Sequence, residues 1–186
     1  MSFTTTLLSQ QVFTQQKANE IFPGALLVRE NIHSIIPSYV KLNIGNEKTK
    51  AQTFELIKKQ YKLDNNISFT LINTFTDKIN HIHYKYQQTV GSIPIENGIL
   101  ILHTKNDMVY AFNGNAYVAS NLTIAPSTTE TDALSTALNA INANQYKWEI
   151  DAEEKHIKTE QNNPTASYFP KGKLVYINEL PNTALR

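Results

Sequence analysis

The stretch HIHYKYQQTVGSIPIENGILILHTKNDMVYAFNGN, residues 81–115, decides how this chain folds. Its side chains alternate with the period of two that a half-buried strand requires. Ile82, Tyr84 and Tyr86 point one way, while His81, His83, Lys85 and Gln87 point the other. Val90-Gly91-Ser92 reads as a turn. A strand from about Ile93 to Thr104 follows, and its run Ile99-Leu100-Ile101-Leu102 asks for burial on both faces. Asn106-Asp107 marks another turn. Met108, Tyr110 and Phe112 then share a face, and Asn113-Gly114, the dipeptide most tolerant of positive φ, closes the last strand. Just upstream, Ile67, Phe69, Leu71 and Phe75 alternate in the same manner, broken only at Asn73.

A helix over residues 49–62 leads into these four strands. Phe54, Ile57 and Tyr61 fall on one stripe, widened by Leu56 and Leu63, while Glu55, Lys58, Lys59 and Lys62 occupy the opposite half. The predicted fold class is therefore α+β, a helix packed on an antiparallel β-meander. Residues 1–45 read as an N-terminal arm and a strap, the latter punctuated by Pro23-Gly24 and Pro37. The helix and meander occupy 46–118, and the polar stretch 119–126 reads as a linker. In 127–186, Ser127 with Glu130 suggests a capping box ahead of a second helix carrying Leu134, Ala137, Leu138 and Ile141. A charged loop over 151–163 and a strand over Lys173–Ile177 follow. One helix and one good strand make too small a core, so this second, helix-plus-strands module is expected to stop before its last strands.

Composition narrows the chemistry. Seventeen basic and sixteen acidic residues leave a formal charge of +1, so bulk electrostatics point to neither nucleic acid nor an anionic membrane. No run of about 18 apolar residues could span a bilayer. The absence of cysteine excludes disulfides, thiolate zinc sites and a cysteine nucleophile together. The first residues, MSFTTTLLSQQVFTQQ, lack the basic and apolar regions of a signal peptide. There is no H-E-x-x-H, no G-x-S-x-G, no phosphate-cradling glycine loop and no dinucleotide fingerprint, and no residue stands out as catalytic.

Three groupings have residue types that could carry chemistry. His81 and His83, two apart on a strand, share a face as two imidazole metal ligands can, and His103 is the candidate third. A turn centred on Val90-Gly91 sets His81 against Leu100 and His83 against Gly98, with His103 against Lys78 on the other face; a polar sheet face is then the simpler reading. Asp151, Glu153 and Glu154 gather near His156, where a charged loop is simpler than acid–base catalysis. Tyr84, Tyr86, Tyr110, Phe112 and Tyr117 at strand spacing read as core before they read as a stacking platform. Asn66-Ile67-Ser68 and Asn121-Leu122-Thr123 match the glycosylation triplet, a pattern that arises readily by chance in an Asn-rich chain.

Residues 81–115 also resemble the fungalysin/thermolysin propeptide domain. The resemblance rests on Tyr86-Gln87-Gln88-Thr89, then Gly91, Ile93-Pro94-Ile95 and Gly98, the strand to His103, and Val109 to Asn113-Gly114-Asn115. Ser92, inserted between Gly91 and Ile93, departs from the family pattern. Ser127–Asn144 resembles the opening helix of a PepSY-like propeptide module, and residues 146–150 and 163–172 are similar to stretches of secreted metalloprotease propeptides. The resemblance implies a propeptide that folds and inhibits a thermolysin-like zinc protease catalytic domain, its partner. It implies zinc in that catalytic domain, no cofactor in this chain, and a secreted or periplasmic location after removal of a signal peptide. It implies fold positions at Tyr86, Gln87, Gln88, Gly91, Pro94, Gly98, His103, Asn113 and Gly114. The competing reading is a non-catalytic protein-binding module of an exported protein.

Overall fold

The computed structural model describes residues 11–119 and 126–177, and these divide into two compact units. The first holds residues 11–119 together with 175–177, and the second holds 126–174. The fold is α+β, with helices and a seven-stranded antiparallel sheet.

The first unit is built on that sheet. Its strands are β1 (Val12–Thr14), β2 (Ala25–Arg29), β3 (Tyr39–Leu42), β4 (Ile67–Thr76), β5 (Ile82–Val90), β6 (Ile93–Lys105) and β7 (Met108–Gly114), in the order β1-β2-β3-β7-β6-β5-β4. The four meander strands appear where the alternation places them. The segment read as a strap is different: its ends are β2 and β3, and β3 pairs with β7, with Val40 opposite Phe112. Too short to show periodicity, these strands are held in place by a long-range partner. The part of the N-terminal arm before residue 11 lies outside the described residues.

Two helices, α1 (Gln15–Ile21) and α2 (Lys50–Gln60), meet at their C-terminal ends, with Phe22 after α1 stacked on Tyr61 after α2, ring centres 6.3 Å apart. Thr49 caps α2: its hydroxyl accepts from the Gln52 amide while the Gln52 side chain accepts from the Thr49 amide. The apolar stripe of α2 then meets the sheet. Phe54 stacks on Phe69 and stands edge-on to Tyr86, and Ile57 is fully buried. Phe112 meets Phe22 edge-on at 5.1 Å, so the core lies between the helices and the face carrying Tyr86, Leu100, Leu102 and Phe112.

Among several register shifts in the sheet, two turns and the bulge between β5 and β6 place the residues of interest. Asn106 and Asp107 both take positive φ (50° and 60°) between paired Lys105 and Met108, as a type I′ hairpin turn requires. The β5–β6 turn is Gly91-Ser92, with Val90 opposite Ile93, so the inserted Ser92 simply completes a two-residue turn. Beyond it, Gln87 pairs with Ile99 and Thr89 with Pro94: two steps along β5 span five along β6. The turn at Gly91-Ser92 and this bulge together overturn the register expected from a turn at Val90-Gly91. His83 lies opposite His103, not Gly98. Along Ile93–Gly98, β6 has left β7, and Tyr176 pairs there, donating to Pro94 O at 2.9 Å and accepting from Glu96 N at 2.7 Å. The strand expected over Lys173–Ile177 is thus a single bridge, Tyr176 to Ile95, belonging to the first unit.

The second unit is helical among the described residues: α3 (Glu130–Ile141), a 3₁₀ turn at Lys147–Glu149 and α4 (Asp151–Glu160). The α3 cap is Thr129, which accepts from Asp132 N, two residues beyond the Ser127 box expected from the sequence. Asn142 ends α3 in the left-handed conformation, φ 47°. The charged stretch 151–160 is a helix and not a loop. Three acidic residues in its first turn suit the helix dipole, and Ile157 supplies its buried contact. Trp148 stacks on Tyr146 at 4.5 Å and stands edge-on to Phe169 at 5.3 Å, joining two stretches far apart in sequence.

Candidate functional site

The polar side of β5 carries two constructions. The first is the bulge. Gln87 Nε2 donates to the carbonyls of Gln88, Ile95 and Gly98, at 3.0, 2.7 and 3.1 Å, and so stitches together carbonyls that the lost ladder leaves without partners. Gln88, fully buried, turns the other way. Its amide donates to Tyr117 O at 2.7 Å and accepts from Tyr117 N at 2.9 Å, holding the chain after β7 as an extra strand would. Gly98 lies against Gln88, where a Cβ would sit 3.0 Å from Gln88 Cβ. Gly91 (φ 58°) opens the turn, and Gly114 (φ 139°) is pressed onto the Ile99 carbonyl. Tyr86 is buried against Phe54.

The second construction is a chain of four polar side chains across the sheet. Asp77 lies in the β4–β5 turn. Its Oδ1 accepts from the amides of Ile79 and His81, both at 2.9 Å, and its Oδ2 lies 3.2 Å from His83 Nε2. Nδ1 of His83 is 2.6 Å from Nδ1 of His103, and Nε2 of His103 is 2.6 Å from Asn113 Oδ1. Phe75 stacks on the His83 ring at 4.7 Å. The His81 amide, ahead of the other contacts, holds the Asp77 carboxyl below its ordinary range. Burial pushes the His103 ring below its ordinary value, partly offset by the Asn113 bond.

His81 stands apart from this chain, its Nδ1 3.2 Å from the Tyr110 hydroxyl. A tetrahedral zinc between two imidazoles needs nitrogens roughly 3.3 Å apart, wider than the 2.6 Å found. Among the described residues no group of three or more His, Cys, Asp or Glu side chains is placed to hold a metal ion. In the second unit Lys147 pairs with Glu153 at 3.3 Å, His156 lies 3.8 Å from Glu160, and Glu154 accepts from Ser167 Oγ and Tyr168 N. These contacts tie the segment together. Tyr86 and Phe112 are core, Tyr84 and Tyr117 pack against it, and Tyr110 lies with His81. The triplet at Asn121 lies outside the described residues. Asp77 could not be singled out from the sequence, since only the hairpin register brings it to His83; its one local signal is a turn-forming Asp three residues before Asn80 (φ 61°).

Residues 68–116, from the start of β4 to just past β7, match the Fungalysin/Thermolysin Propeptide Motif. Bacillolysin from Bacillus subtilis (strain 168) is 30% identical over 78 residues, 41% of this chain. Bacillolysin from Bacillus subtilis subsp. amylosacchariticus matches to the same extent. The chain spans about 15% of the length of these curated relatives.

Proposed function

We propose that this chain is the propeptide region of a secreted zinc metalloprotease, assisting the folding of a thermolysin-like catalytic domain and holding it inactive until cleavage. The observation that carries this reading is the motif match over 68–116, which falls on the strands whose register and bulge the motif residues build. The motif glutamines and glycines are spent on backbone geometry, so the motif describes a scaffold, and catalysis is left to another domain. A domain that binds the native protease stabilises it by mass action, and tethering raises its effective concentration. Both helices of the first unit pack on one face of its sheet. The opposite face, with exposed Phe75 and half-buried Ile101 and Lys85, is a surface on which a catalytic domain could dock. The second unit would form a PepSY-like module of the same propeptide. No helix among the described residues is long and apolar enough to cross a membrane, and a secreted or periplasmic location is part of the same proposal.

Reading the coding frame beyond Arg186, then adding this chain to the separately expressed catalytic domain, tests the proposal. We expect an H-E-x-x-H zinc signature downstream, slower peptide cleavage with the chain present, and a higher yield of active protease on refolding. A frame that continues into an unrelated domain, or a chain that neither slows nor helps refold the protease, would overturn it in favour of a protein-binding module of an exported protein.

A further inference from the structure

The Asp77–His83–His103–Asn113 chain has acceptors at both ends, and its middle contact joins two nitrogens of the same kind. Asp77 Oδ2 accepts from His83 Nε2–H, and Asn113 Oδ1 accepts from His103 Nε2–H. Each ring then presents a bare Nδ1, and two lone pairs 2.6 Å apart repel unless a proton lies between them. With that proton the pair carries one positive charge, which Asp77 neutralises. Without it, one ring must take the other tautomer and the Asn113 amide must turn to donate. A second added proton would set N–H against N–H across the same gap, with two cations facing one carboxylate.

From this geometry we infer that the chain is a one-proton switch, in which His83 and His103 jointly take up a single proton from solvent and the intact sheet excludes a second. The groups facing it bear on where uptake occurs. On β5, His81 and Lys85 flank His83; on β6, Lys105 lies two residues beyond His103. Across β7, Tyr110 lies 6.2 Å from the His103 ring, and on β3, Tyr39 is opposite Asn113 with Arg29 at 6.0 Å from its ring. From β4 only the uncharged Phe75 touches the pair. Asp77 is the one acidic group in the chain.

The sign of the effect follows from proton counting. In the unfolded chain each imidazole takes its own proton near an ordinary value of about 6.5. The folded pair takes one in place of two, in keeping with a His103 ring that burial holds below its ordinary value. Below that pH the unfolded chain binds one more proton than the folded pair, so the stability contributed by the pair falls as pH falls. One missing proton raises the unfolding equilibrium constant by up to about tenfold per pH unit. Acid therefore loosens the β4–β5 turn and the β5–β6 pairing at His83. The inference does not depend on the propeptide reading, and either can fail alone.

Ring ¹⁵N–¹H correlation spectra of the full chain between pH 8 and 5 test it, with exposed His33 and His156 as references in the same molecule. We expect the His83 and His103 signals to move together through the uptake of one proton, with the Asn113 side-chain amide moving in step. Asp77→Asn keeps the turn acceptor for Ile79 and His81 but removes the counter-charge, and it should shift the joint midpoint to lower pH. Separate uptake of a full proton by each ring would overturn the proposal. So would an Asp77→Asn variant with an unmoved midpoint.

Discussion

At the residue scale, Gly114 has the least freedom to change. Its φ of 139° lies outside the range of side-chain-bearing residues, and a Cβ would drive into the Ile99 carbonyl. Gly114→Ala should cost about 2–4 kcal/mol in urea unfolding, at the upper end for a single substitution. Tyr61 presents the reverse case. Its hydroxyl is buried with no hydrogen-bond partner among the described residues, and burial pushes its ionisation far above the usual range. Removing an unpartnered polar group relieves its desolvation, so Tyr61→Phe should be neutral or stabilise by about 1 kcal/mol, read as a raised midpoint at unchanged slope. The ring itself, stacked on Phe22, would stay in place.

At the element scale, α2 depends on its cap as well as on its stripe. Thr49 and Gln52 satisfy each other's amides, and Phe54 and Ile57 then reach the sheet. Thr49→Ala should cost about 1 kcal/mol, and Thr49→Gly only a few tenths, a difference that denaturant unfolding of the two variants resolves. The elements legible from sequence were those whose signal is local: α2 by its stripe, β4 to β7 by alternation, and the Asn106-Asp107 turn by its residue types. Other elements were not legible because their cause lies elsewhere in the chain. β3 is a strand because β7 offers it an edge, and Tyr176 is bridged because β6 has left β7 at the bulge. On α4, charge outweighs the apolar signal, so periodicity there is faint, although Ile157 is buried.

At the scale of the whole molecule, the two units differ in how they are held. The first buries Ile57, Leu100, Leu102, Phe112 and many neighbours under two helices. In the second, α3 has no buried residue, and Ile157 and Ala166 are the buried apolar side chains among the described residues. Local opening is governed by such burial. Hydrogen exchange on the intact chain should find the central amides of β5, β6 and β7 slowest, with α3 exchanging much faster. Equal protection of α3 and β6 would show that α3 is held by contacts beyond those described.

The amino-acid sequence by itself determined the α+β class, the meander and the motif that marks residues 68–116, because alternation, turn chemistry and short-range spacing are written residue by residue. Tertiary structure alone decided what the motif residues do. A turn one residue further along and a three-residue excess in β6 together moved His83 from Gly98 to His103, and that displacement created the Asp77–His83–His103–Asn113 chain. The bulge is stitched by one glutamine side chain reaching three carbonyls, and no periodicity along a strand records a contact of that kind.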